Sequence, residues 1–138
     1  MESVELVRFR GKKNVVLYFY PKDGTPGCTL QATDFSDHED EFARCDCVVL
    51  GVSQDDCLAH AEFRDEIGVS IVLLADTEGE VCKKYGVLQH GEVNGERRSR
   101  VLRATFVIDK KGTVRHALYK VTPRGHALEV LDLVKSIR

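Results

Sequence analysis

Val15 to Tyr20 is an unbroken run of β-branched, aliphatic and aromatic residues, bounded by Gly11-Lys12-Lys13-Asn14 on one side and Pro21 on the other. Such a run reads as a central, buried strand. Strand-like and helix-like stretches alternate along the rest of the chain, the pattern of an α/β domain. After the loop Pro21 to Gly27, residues Cys28 to Ala43 carry Leu30, Phe35, His38 and Phe42 among polar residues, which predicts an amphipathic helix. Val48 to Ser53 predicts a second strand. Asp55 and Asp56 then stand where an N-cap belongs, ahead of a helix with Ala59, Phe63 and Ile67 on one side that stops at Gly68. His60 is expected on that helix's surface. Ile71 to Ala75 predicts a third strand, and Asp76 to Tyr85 a short helix ended by Gly86. The polar stretch Leu88 to Val101, with Gly91, Gly95 and several arginines, predicts a surface loop. Ala104 to Asp109 and Val114 to Lys120 predict a hairpin closed by Lys110-Lys111-Gly112-Thr113. Ala127, Val130, Leu131, Val134 and Ile137 form one apolar stripe on a terminal helix.

Composition narrows the function classes. The 138 residues are 43% hydrophobic, which fits one domain spanning 1–138, and 20 Lys+Arg against 22 Asp+Glu leave a formal net charge of −2. A nucleic-acid partner is not expected, because the only local excess of positive charge is Arg97, Arg98, Arg100 and Arg103. Apolar runs such as Ile71 to Ala75 fall far short of the roughly 18 residues a membrane span needs. Met1 to Arg10 mixes charges through its apolar positions, unlike a signal peptide, so a cytoplasmic location is expected. The five cysteines, at 28, 45, 47, 57 and 82, are odd in number and irregular in spacing. That favours reduced thiols over a disulfide framework.

One of the five stands in a special setting. Tyr20-Pro21-Lys22-Asp23-Gly24-Thr25-Pro26-Gly27-Cys28 places a cysteine after a buried strand and a Pro/Gly loop, in the first turn of a helix. Free N–H groups and the positive end of the helix dipole favour a thiolate there, and the thiolate is the nucleophilic form. Thr25 can turn its hydroxyl toward the same anion or toward an incoming oxygen. Pro21 and Pro26 fix φ and remove two donors, which stiffens the loop. Cys45 and Cys47 form a Cys-x-Cys pair without enough neighbouring ligands for a metal, so no metal and no cofactor are expected. Cys47 is expected to point inward and Cys45 to end a helix.

Pro21-x-x-x-Thr25-x-x-Cys28 resembles the Pro-x-x-x-Thr-x-x-Cys signature of peroxiredoxins, and its context is similar to the bacterioferritin comigratory protein, or Q-type, subfamily. The likeness continues through Gly51-Val-Ser-Gln-Asp, Leu74-Ala-Asp-Thr-Glu-Gly-Glu-Val, Tyr85-Gly-Val, Arg103-Ala-Thr-Phe-Val-Ile-Asp and Gly125-His-Ala-Leu-Glu-Val-Leu. The resemblance implies a thioredoxin-like fold with a central mixed sheet flanked by helices. It also implies a peroxidase that reduces hydrogen peroxide and organic hydroperoxides, with thioredoxin or another thiol as reductant. Cys28 would be the peroxidatic cysteine, oxidised to a sulfenic acid. Thr25 would hydrogen-bond the peroxide, Pro21 would shape its pocket, and Arg103 would stabilise thiolate and leaving oxygen. Monomer and homodimer are both compatible with the sequence.

The chain departs from the family at two places. A resolving cysteine usual five residues after the peroxidatic one is Thr33 here, and the other usual position aligns with Arg64. A single-cysteine mechanism is therefore preferred, with Cys57 and Cys82 as the alternative resolving residues. Cys57 precedes Arg64 by seven residues, about 10 Å along a helix, against the roughly 7 Å between Cα atoms that a disulfide tolerates. Second, Val4 to Gly11 is similar to the end of the family's N-terminal hairpin, so the fold is expected without that hairpin. Two other readings remain: a non-enzymatic thiol redox switch, and a thiol-disulfide oxidoreductase, the latter disfavoured by the lack of Cys-x-x-Cys.

Overall fold

The computed structural model describes residues 9–137, with side chains throughout except in 90–93 and 97–99. The segment from Val4 and the expected hairpin lie outside the described residues but for its end at Phe9–Gly11, and the side chains of Arg97 and Arg98 lie outside them too. Elements follow in the order β1 (Asn14–Phe19), α1 (Pro26–Asp37), α2 (Glu39–Arg44), β2 (Cys47–Ser53), α3 (Cys57–Ile67), β3 (Val72–Ala75), α4 (Glu80–Lys84), β4 (Leu88–Val93), β5 (Glu96–Val101), β6 (Ala104–Ile108), β7 (Val114–Tyr119) and α5 (His126–Lys135).

The main sheet runs β3-β2-β1-β6-β7. β1 pairs parallel with β2 and antiparallel with β6, β2 is parallel to β3, and β6 is antiparallel to β7. The sheet is therefore mixed, and the apolar run that reads as a central strand is central, all six of its residues buried. Alternation along β1 sorts the core into two layers. Val16, Tyr18 and Tyr20 face α1, α2, α3 and α5, packing with Phe35, Phe42, Phe63, Val130 and Leu131. Val15, Leu17 and Phe19 face the other way, onto Phe106, Cys82 of α4, Val87 and Val101.

Three expectations are corrected. The predicted helix from Cys28 to Ala43 begins two residues earlier and breaks at His38, which ends α1 and starts α2 with φ −103° and ψ 8°. Leu30 is not in its core; α1 buries Cys28, Gln31, Ala32 and Phe35, the i, i+3, i+4, i+7 stripe. The predicted loop Leu88 to Val101 is an antiparallel hairpin, its strands joined at Asn94-Gly95, both with positive φ (53° and 81°). That is the dipeptide a tight two-residue turn demands. The ribbon stands apart from the main sheet, which is why it carries so little apolar alternation.

The helix boundaries α3 shows are the predicted ones. Asp56 accepts a bond from the Ala59 N–H at its start, and Gly68 closes it in the left-handed conformation. The short α4 is tied down by buried Asp76, whose carboxylate accepts from the N–H groups of Val81 and Cys82 at 3.2 and 2.8 Å.

Gly51 of β2 marks the tightest packing. A Cβ there would lie 2.7 and 2.8 Å from the ring and hydroxyl of Tyr18 and 2.9 Å from Leu73. Gly51→Ala is expected to destabilise the fold by about 1–3 kcal/mol through overpacking. Urea denaturation reads this as a lower midpoint with an unchanged slope.

Candidate active site

The carboxyl end of β1 leads into a loop whose conformation is fixed bond by bond. The Tyr20 N–H continues the parallel ladder onto Val52 O at 3.0 Å. The Thr25 hydroxyl donates to the Lys22 carbonyl at 2.8 Å, closing the loop on itself around Gly24, whose φ is +79°. Thr25 is the N-cap residue of α1 by backbone conformation, and Pro26 follows at the first helical position, where its missing N–H costs nothing. The first helical bond runs from Thr29 N–H to Thr25 O at 2.9 Å. Cys28 is thus the third residue of the helix, and the amides of Gly27 and Cys28 precede the first helical bond, at the positive end of the dipole.

Arg103 reaches this helix start from the opposite side. Its half-buried guanidinium donates from Nη2 to Cys28 Sγ at 3.4 Å and from Nη1 to Gln31 Oε1 at 2.8 Å. The packing at Gly27 is close, since a Cβ there would stand 3.1 Å from Arg103 Nη2 and 3.3 Å from Pro123, so that either side chain would have to shift slightly to admit one. Cys28 and Gln31 are each 1% exposed. Arg103 has no acceptor, so it fixes the orientation of the Gln31 amide with oxygen toward the guanidinium. The amide nitrogen of Gln31 and the hydroxyl of Tyr18 are left as buried polar atoms without a hydrogen-bond partner. Burial pushes the Tyr18 phenol far above its ordinary range, with the charges of Cys28 and Asp23 adding to the effect, so it stays a neutral donor.

Two histidines brace the surroundings. His126, the first residue of α5, lies 2.7 Å from the Thr105 hydroxyl and packs edge-on against Phe35. Burial pulls its imidazole below the ordinary value, against the opposing pull of Glu129. The expectation for His60 is corrected. It is 3% exposed, because it shares with Phe63 and Ile67 the face of α3 that packs inward. The i, i+3, i+7 spacing of those three residues was the signal for it. His60 binds Asp23 of the loop at 2.6 Å.

The other four thiols are placed elsewhere. Cys82 is fully buried in the layer across the sheet from Cys28. Cys47 pairs with Asn14 at the start of β1, and the six residues of that strand put about 20 Å between it and the loop. Cys47 is buried and Cys45 caps the end of α2, as expected. Cys57, the first residue of α3, is exposed. Burial pushes the thiols of Cys47 and Cys82 up to about 12, helped by Cys45 in one case and Asp76 in the other. Among the described residues no three His, Cys, Asp or Glu side chains gather to hold a metal ion.

The geometry is that of a sulfur held between a helix N-terminus and a guanidinium. Sequence reasoning placed Cys28 and Thr25 at this helix start, and Arg103 came from the family likeness. It missed Gln31 and Tyr18, which no spacing rule singles out from other core residues.

The chain is similar to known proteins over most of its length. The model of the AhpC/TSA family matches residues 1–117. Peroxiredoxin Bcp of Bacillus subtilis is 38% identical over 136 residues, covering 99% of this chain and 86% of that protein. The bacterioferritin comigratory protein of Xanthomonas campestris, whose structure was studied for its alkyl peroxide reduction activity, superposes with a TM-score of 0.90 at 33% identity, covering 96% of this chain and 84% of the other. Peroxidoxin BcpB of Mycobacterium tuberculosis gives 0.85 at 33% identity, over 96% and 85%. The thioredoxin-like fold is therefore shared.

The thiols differ enough in environment to be separated chemically. At about pH 8, iodoacetamide is expected to label exposed Cys57 in the native protein while Cys47 and Cys82 label only after unfolding, because a thiol must ionise to react. Peptide mass mapping of the adducts checks this; native labelling of Cys47 or Cys82 contradicts the burial described.

Proposed function

The chain belongs to the AhpC/TSA family and is a thiol-dependent peroxidase, and from that premise we propose that Cys28 is the sulfur that peroxide oxidises. The observation that carries the assignment is the 3.4 Å contact between Arg103 Nη2 and Cys28 Sγ at the start of α1. The Cys28 thiolate attacks one oxygen of the hydroperoxide. A sulfur–oxygen bond forms, the oxygen–oxygen bond breaks, and the leaving oxygen departs as water or alcohol after taking a proton. Arg103 stabilises the thiolate before attack and the charge on the leaving oxygen during it. The Thr25 proton is committed to the Lys22 carbonyl, so its lone pairs are what it offers, and they suit the O–H of an incoming peroxide. Pro21, half-buried at the loop entrance, gives the pocket wall its shape. Hydrogen peroxide and organic hydroperoxides are the proposed substrates.

Return to the thiolate takes two thiols. The positions of Cys82 across the sheet and of Cys45 and Cys47 at its far end support the single-cysteine route, in which one thiol of thioredoxin or a small thiol attacks the sulfenic acid directly, releasing water and leaving a mixed disulfide, and a second thiol then displaces the Cys28 thiolate from that disulfide. Cys57 keeps a second reading alive, because it is exposed and follows the same carboxyl end of the parallel strands. A cytoplasmic enzyme acting as one domain over 1–138, as monomer or homodimer, completes the proposal.

Rapid mixing with hydrogen peroxide tests the assignment. Cys28→Ser is expected to abolish fast peroxide consumption, and Arg103→Ala to lower the rate constant about 10²- to 10³-fold, the cost of removing a donor aimed at developing charge. A Cys28→Ser protein as fast as wild type would sink the assignment. Intact mass after one equivalent of peroxide separates the routes: a gain of one oxygen supports one cysteine, a loss of two hydrogens supports two.

A further inference from the structure

Asp23 sits in the loop between Pro21 and Cys28, and its backbone and side chain are held by three other elements. Its N–H donates to Asp55 Oδ2 at 2.8 Å, beyond the end of β2, and that carboxylate also accepts from the Ser53 hydroxyl at 2.8 Å. Its carboxylate accepts from the Tyr20 hydroxyl at 2.6 Å and faces His60 Nδ1 of α3 at 2.6 Å. The other ring nitrogen, Nε2, faces the carbonyl of Leu74 in β3 at 3.0 Å. Both nitrogens of His60 therefore point at oxygens that can only accept. A neutral imidazole carries one N–H and would leave one of the two contacts without a proton; the imidazolium satisfies both. The pair is dry, with side-chain exposures of 4% for His60 and 7% for Asp23, so screening by solvent is slight.

We propose that His60, as an imidazolium clamped between Asp23 and the Leu74 carbonyl, is the positioning residue that holds the Pro21–Gly27 loop, and through it Thr25 and Cys28, in the reactive arrangement. The inference rests on the assignment of Cys28 as the reacting sulfur and adds the group that sets its geometry. The titratable and charged groups that face the ring are Asp23 and Asp55 from the two loops and Tyr20 at the end of β1, whose hydroxyl stands 3.4 Å from Nδ1. Burial draws the ring toward its neutral form, and the hydrogen bond and charge of Asp23, with Leu74 O and Asp55, outweigh it and hold the imidazole above its ordinary value. The sign follows by linkage. A raised value in the folded state means that the clamp's contribution is complete below the unfolded-state value near 6.5 and is lost as pH rises through the folded one.

Nuclear magnetic resonance and rapid mixing on the full chain test this together. Long-range proton–nitrogen spectra are expected to show His60 protonated on both nitrogens at about pH 6, with a midpoint above about 6.5. The rate constant of Cys28 with hydrogen peroxide, relative to that of His60→Asn, is expected to fall about tenfold as pH is raised through that midpoint, because asparagine can bond Asp23 but cannot titrate. Asp23→Asn is expected to slow the reaction about 10- to 100-fold at neutral pH, the scale of a misplaced reacting group. A His60 midpoint at or below about 6.5 overturns the inference, as does an identical pH profile in wild type and His60→Asn. Should a variant fail to fold, the wild-type amide resonances of residues 22–25 and 27 decide: movement at the His60 midpoint supports the clamp, and indifference overturns it. Cys28→Ser is run alongside, and peroxide consumption at the wild-type rate in that variant overturns the underlying assignment and the inference with it.

Discussion

The contact between Arg103 and Cys28 joins residues 75 positions apart, and the register of one strand pair brings it about. Phe19, the last residue of β1, lies opposite Ala104, the first of β6. Because the pair is antiparallel, the chain leaves β1 toward the Pro21 loop at the point where it enters β6 from Arg103. The loop then turns back into α1, and the helix start meets the guanidinium. A slip of one residue would send the side chain of Arg103 to the other face of the sheet, toward α4. The packing of β6 opposes that slip, since Ala104, Phe106 and Ile108 would exchange layers with Thr105 and Val107. The contact between Arg103 and Cys28 is thus a consequence of how β1 and β6 are buried.

The same two layers sort the thiols. A chain with five free cysteines risks competition among them, and the sheet removes most of it by distance and dielectric. Cys82 is packed against Asp76 on the far side, and Cys47 is buried at the amino end of β2, both with thiols held far from ionisation. Cys28 is buried as well, at 1% exposure, yet it faces a cation and a helix start. If Cys28 is the reacting sulfur, as proposed, burial alone does not distinguish an inert thiol from a reactive one; the partner of the sulfur does.

Much of this was legible in the chain. Runs such as Val15 to Tyr20 and Val48 to Ser53 are long and apolar enough that burial dictates a strand, and the Pro/Gly loop before Cys28 sets that cysteine apart as the candidate nucleophile without any fold. Arg103 looked like one more member of a basic stretch, and only the family likeness, followed by the register of β6, set it apart. The hairpin at Asn94-Gly95 was masked by polar composition, because a ribbon not hydrogen-bonded into the main sheet carries little apolar alternation to read. His60 was misplaced for the converse reason: a polar ring on an inward stripe reads as surface until its partners, Asp23 from 37 residues away and the Leu74 carbonyl, are known. What escapes local reading at Arg103 and His60 is a long-range polar contact, which has no period along the sequence.

The central claim is that the sulfur between the α1 start and Arg103 is the one that peroxide oxidises. Trapping with dimedone during exposure to one equivalent of hydrogen peroxide, followed by peptide mass mapping, tests it most directly, since dimedone bonds to sulfenic acid and leaves thiols untouched. The account expects the adduct at Cys28 and at no other cysteine. An adduct at exposed Cys57, with Cys28 unmodified, would contradict it.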